Sequence, residues 1–121
     1  MHEMSIAQGI MDVVKQEMTK NKMRVLLKVK IRAGKLNAIV PEALQVCFDM
    51  LLQDTPWPGA MLEIETIPIK FKCPKCSQEF LPEDQEYMGS IIQAPCPNCG
   101  TDIGHEIVSG KELLIEYIEA E

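Results

Sequence analysis

The chain opens on an apolar stripe. Ile6, Ile10, Val13, Val14 and Met18 recur at steps of three and four, which predicts an amphipathic helix from about Met4 to Lys20. Ser5 followed by Gln8 offers a capping box, with a start nearer His2 as the alternative, and Asn21 and Lys22 suit the exit. The period then changes to two. Leu27, Val29 and Ile31 alternate with Lys28, Lys30 and Arg32, which predicts a strand with one buried face. Gly34 and Asn37 mark a turn. Pro41 and Glu42 open a second helix with a stripe of Leu44, Cys47, Phe48 and Leu51, ended by Pro56, Pro58 and Gly59. Ala60 to Ile67 reads as a second strand with Leu62 and Ile64 inward. Leu113 to Ile118 reads as the last strand, with both faces partly covered.

Between the last two strands, residues 70 to about 105 have few periodic apolar positions and four cysteines. Such a segment buries little core, so a metal must order it. The expected fold is α+β: a small three-stranded sheet with two helices on one face, plus a zinc-ribbon lobe inserted before the last strand. The expected division is residues 1–69 with 108–121 for the α+β domain and 70–107 for the ribbon.

Composition narrows the function. The 121 residues carry a formal net charge of −6, and 46% are hydrophobic, so a packed core is expected and a nucleic-acid partner is not. No apolar run approaches the roughly 20 residues of a bilayer span, and no basic segment followed by an apolar stretch marks a secretion signal. A cytoplasmic protein without a membrane partner is the expectation. Aromatic residues are only 5% of the chain, which leaves aliphatic side chains and methionines to fill the core.

Cys73-Pro74-Lys75-Cys76 and Cys96-Pro97-Asn98-Cys99-Gly100 form two knuckles separated by the 19 residues from Ser77 to Pro95. Two residues between cysteines let both sulfurs reach one ion, and four thiolates make a closed tetrahedron. Zinc is the expected occupant, with a single iron in a rubredoxin-like site as the alternative. A closed site leaves no position for catalysis. With no paired acid and base and no phosphate loop elsewhere, no enzyme is expected. The fifth cysteine, Cys47, falls on a helical apolar stripe and reads as a buried thiol. His105 lies outside the knuckle spacing and reads as a solvent histidine. Lys28, Lys30 and Arg32 read as a solvated face that could meet an acidic partner.

Met1-His2-Glu3 can chelate a second kind of ion. The terminal amine, the His2 amide nitrogen and the His2 imidazole form fused rings around nickel(II) or copper(II), with Glu3 adding an oxygen or a further amide nitrogen. Followed at once by an amphipathic helix, this start resembles the HypA/HybF family. Pro41-Glu42-Ala43-Leu44, Gly59-Ala60-Met61-Leu62-Glu63-Ile64, the two knuckles and Gly110-Lys111-Glu112-Leu113-Leu114-Ile115 resemble that family's second helix, second strand, ribbon and last strand.

The resemblance implies a metallochaperone that delivers Ni(2+) during [NiFe]-hydrogenase maturation. It implies His2 as the key nickel ligand, assisted by Met1 and Glu3, and structural Zn(2+) on Cys73, Cys76, Cys96 and Cys99. It implies two partners, the pathway's nickel-loading P-loop GTPase and the hydrogenase large subunit precursor; a homo-oligomer stays open. Prolines stand beside the cysteines where pH-sensing members place histidines, so no pH switch is carried over. The extra length of the spacer falls at Tyr87 to Ala94. The rival reading is a zinc-ribbon adaptor that binds a protein or nucleic acid and uses no nickel.

Overall fold

In the computed structural model, residues 3–82, 94–102 and 104–121 are described. The first helix, α1 (Glu3–Lys20), is helical from the first described residue, as the alternative of a start nearer His2 expects and ahead of the Ser5 capping box. It buries Ala7, Ile10, Met11, Val14 and Met18. Val13, expected inward, is exposed, because Ala7 and Met11 rotate the buried stripe away from it. The helix ends in a Schellman turn: the Met23 amide donates to the Met18 carbonyl at 2.9 Å, with Lys22 left-handed at φ 54°.

Strand β1 (Leu26–Gly34) follows. Its burial corrects the expected alternation. Leu26 is buried and Leu27 exposed, whereas Val29, Ile31 and Ala33 are buried. The departure is confined to the start of the strand; from Val29 on, buried and half-buried positions alternate as expected. A 3₁₀ turn, Lys35–Asn37, leads to α2 (Pro41–Leu52), with Pro41 in its first turn and Leu44, Phe48 and Leu52 buried. Cys47 and Leu51 pack at the edge of this core and are only partly buried.

Strand β2 (Met61–Ile67) and the late strand Leu113–Ala120 complete the first sheet. Between them lie β3 (Lys70–Lys72), β4 (Glu79–Phe80) and β5 (Glu106–Ser109), three short strands that the periodicity does not reveal; the last strand is therefore β6. The first sheet has the order β2-β1-β6 and the second β4-β3-β5. Val25 and Glu121 exchange backbone hydrogen bonds at 2.8 and 2.9 Å, so β6 runs antiparallel to β1. In the second sheet β3 is antiparallel to both neighbours, with Phe71 opposite Phe80 on one side and Ile107 on the other.

The chain forms two compact units: 1–32, 39–65 and 114–121 in one, and 33–38 with 66–113 in the other. The first holds a single core of α1, α2 and the inner sheet face around Val14, Val29, Ile31, Leu44, Phe48 and Leu52. On the outer sheet face, Lys28 pairs with Glu63, Lys30 with Glu63, Glu65 and Glu116, and Arg32 with Glu65. The basic strand is thus neutralised by its own neighbours and offers no free positive face.

The second unit holds a smaller core of Ile69, Phe71, Cys73, Phe80, Ala94 and Cys96. A glycine pair closes one corner of it. A Cβ on Gly34 would run into the Gly110 carbonyl, and Gly110 (φ 114°) would place one 2.9 Å from the Ile69 Cα. Only a residue without a side chain fits either position. Most of the knuckle spacer, including 87–93 of its extra length, lies outside the described residues.

Candidate metal centre

The two knuckles are built to one plan. In the first, the Cys73 amide donates to the Gln78 carbonyl at 3.0 Å, and the Ser77 amide donates back to the Cys73 carbonyl at 3.0 Å. In the second, Cys96 to Thr101 is 2.8 Å and Gly100 to Cys96 is 2.9 Å. The residue after each second cysteine is left-handed: Ser77 at φ 62° and Gly100 at φ 80°. That conformation lets the chain reverse over two intervening residues and turns both sulfurs inward. Gly100 adopts it without strain; Ser77 does so at some cost.

The four Sγ atoms lie within 4.8 Å of one another, with Cys73 and Cys99 at 3.4 Å and Cys76 and Cys96 at 3.5 Å. A tetrahedron of thiolates around zinc has edges of about 3.8 Å, from a metal–sulfur bond near 2.3 Å. The donor set therefore fits a four-coordinate ion with small shifts of the sulfurs. None of the thiols is in a disulfide.

The surroundings favour the thiolate form unevenly. The Thr101 hydroxyl, 3.3 Å from the Cys99 sulfur, together with the Thr101 amide and the Cys73 thiol, holds Cys99 down to about 6. The Asn98 side chain and the Gln78 amide lower Cys76. Burial pushes Cys96 up. Two sulfurs eased toward the thiolate form, Cys76 and Cys99, and two sulfurs set in the small core suit capture of a cation from solvent. Thr101, Asn98 and Gln78 were not foreseen. Their place was the available signal, Gln78 and Thr101 just beyond the two knuckles and Asn98 within the second, since amides and hydroxyls there point at the sulfurs.

His105 is the main correction. It is not a solvent histidine. Its ring stacks on Phe71 at 5.5 Å (27°) and meets the edge of Phe80 at 5.0 Å (85°). Its Nε2 lies 2.7 Å from the Ala94 carbonyl, which only accepts, so Nε2 carries the proton and donates. Nδ1 is then a bare, buried lone pair with no partner among the described residues. His105 thereby ties the segment leading to Cys96 onto the aromatic pair of β3 and β4. The spacing gave no hint of this, because Phe71 and Phe80 lie far from it in sequence.

Of the expected nickel ligands, Glu3 opens α1 and its carboxylate accepts from the Val40 amide at 3.4 Å, beside the start of α2. Met1 and His2 lie outside the described residues.

A two-helix, three-stranded layer carrying a four-thiol ribbon defines a metal-binding α+β protein, with its cysteines in a closed cluster rather than an open catalytic site. Comparison with known proteins makes this specific. Residues 1–120 match the family described as "Hydrogenase/urease nickel incorporation, metallochaperone, hypA", and the chain belongs to that family. It is 43% identical over 121 residues to the hydrogenase maturation factor HypA of Solidesulfovibrio magneticus, and 38% identical to that of Lawsonia intracellularis, covering all of both chains. Its fold is shared with the Ni metallochaperone HypA from Helicobacter pylori (TM-score 0.63, 21% identity, 99% of this chain and 97% of that one). A second solved HypA protein aligns with a TM-score of 0.70 at 20% identity, over 100% of this chain and 97% of that one. The family is one of metallochaperones that serve hydrogenase maturation, not of enzymes. Among the described residues no helix is long and apolar enough to cross a membrane.

Proposed function

We propose that this protein takes up Ni(II) at its N-terminus, through the Met1 amine, the His2 amide and imidazole, and Glu3, and delivers it during [NiFe]-hydrogenase maturation. The observation that carries this reading is the family match along the whole chain. The chemistry of the two ends is consistent with it. Cargo must leave again, and a closed cage of four thiolates holds an ion too firmly to release it, whereas a terminal chelate is exposed and labile. The functional division is residues 1–69 with 108–121 for nickel and 70–107 for zinc.

Cys73, Cys76, Cys96 and Cys99 would hold the zinc, which supplies a crosslink and no reaction. Iron would fit the same sulfurs; a colourless preparation rules out the ferric ion. The partners are the nickel-loading P-loop GTPase and the large subunit precursor of the hydrogenase, in the cytoplasm.

Nickel titrated into the untagged, zinc-loaded protein by calorimetry tests this, with zinc counted by elemental analysis. One nickel per chain is expected, lost in His2→Ala and in a protein with residues added before Met1, while one zinc remains. Unchanged nickel affinity in both variants refutes the terminal site. Zinc alone, with no nickel bound by the native chain, returns the adaptor reading.

A further inference from the structure

Helix α2 is more apolar than its core position requires. Leu44, Phe48 and Leu52 fill the buried side. Yet Val46 and Met50 are each 58% exposed. At about 100° per residue, Ala43, Val46, Cys47 and Met50 share one flank of the helix, and with the buried residues the apolar arc spans roughly 240°. A helix that covers one sheet face needs an arc of about 100°. The surplus is a ridge that this fold leaves uncovered.

The rim of the ridge carries Glu42 and Asp49. No ion pair reaches either among the described residues, and Asp49 accepts only from Gln45 at 3.1 Å. From Leu36 to Ile69 the sequence has no lysine or arginine. The outer face of the sheet is the contrast: there each of the basic residues Lys28, Lys30 and Arg32 has its carboxylate. An apolar ridge edged by unneutralised carboxylates is complementary to apolar anchors set among lysines and arginines. A second copy of this helix would bring acid against acid. The ridge also starts beside the proposed cargo site, because the Val40 amide at the head of α2 donates to Glu3.

We propose that the outer face of α2, centred on Val46 and Met50 and rimmed by Glu42 and Asp49, is the docking surface for the pathway's nickel-loading GTPase, engaged through a basic amphipathic segment of that partner. This rests on the metallochaperone reading and gives it a place of contact, on the helix whose head, at Val40, donates to Glu3.

The test uses the full zinc-loaded chain and the pathway's nickel-loading GTPase, with affinity measured by interferometry across a salt series. Val46→Glu with Met50→Glu should weaken binding at least tenfold, since truncated or charged central anchors dominate such losses. Glu42→Lys with Asp49→Lys should slow association and flatten its salt dependence. Melting, zinc content and the nickel titration should stay unchanged in both, as all four side chains are clear of the core. Native protein that binds the GTPase while the Val46/Met50 variant binds equally well overturns the docking surface and leaves the metallochaperone reading intact. Native protein that binds nickel but not the GTPase also overturns it. Failure of the nickel titration itself is the separate mark of a wrong functional reading.

Discussion

The two compact units are ordered by different forces. The first buries thirteen core residues from two helices and one sheet face, and Ala7, Val14, Val29, Ile31, Leu44, Phe48 and Leu52 have no exposed surface at all. Apolar burial at about 25 cal/mol per Å² is enough to fold such a layer. The second has six buried core residues, two of them cysteines, and strands of three, two and four residues. So little burial does not offset the entropy of ordering that length of chain. The sulfurs and the aromatic–histidine stack must do the rest. One chain therefore pairs a unit that stands by packing with a unit that stands by crosslinking, and the cargo reading belongs to the first.

The sharpest way to break this contrast is to remove the crosslink. Chelation of the zinc, or Cys96→Ser, should abolish amide-exchange protection across the second unit and leave that of α1, α2 and β1 in place. Loss of protection in both units together would show that they fold as one. The converse change is Phe48→Ala, which leaves a large cavity in the first core. It should cost about 3–5 kcal/mol of stability in denaturant titration and leave zinc content at one per chain.

A smaller effect is expected at His105. His105→Ala removes the donor to the Ala94 carbonyl and the ring between Phe71 and Phe80. A buried carbonyl left unpaired costs about 1–3 kcal/mol, so zinc should be lost to a competing chelator faster than from the native protein, with the first unit unaffected. The mildest change is Thr101→Val. Cys99 is held near 6 chiefly by the Thr101 hydroxyl, so in metal-free protein its thiolate persists as pH falls until about 6 and is lost below. Alkylation mapped by mass spectrometry at pH 7 should mark Cys99 ahead of Cys96, which burial pushes up. In Thr101→Val the half-reaction pH of Cys99 should rise and that preference shrink.

Much of this was legible from local pattern. The knuckles read plainly because metal chemistry fixes their spacing, and the gathering of all four sulfurs followed from it. The helices, β1 and β2 read from their periods because each buries a face, whereas β6 has no buried residue and its alternation is correspondingly blurred. Leu27 misled because its exposure at the start of β1 is decided by what packs there on folding, not by its own alternation. The ribbon strands escaped because runs of two to four residues carry no period. Lys28, Lys30 and Arg32 looked like a free basic face until Glu63, Glu65 and Glu116 were placed across the sheet from them.

By itself, then, the sequence determined what depends on neighbours along the chain: which stretches form helices, and how two cysteines come to share one site. The tertiary structure decided what depends on residues distant in sequence. It set the exposure of Leu27 at the start of β1 and the uncovered ridge of α2. It also put His105 between Phe71 and Phe80, because a ring's burial and its hydrogen-bond partner are fixed by surfaces that meet only on folding.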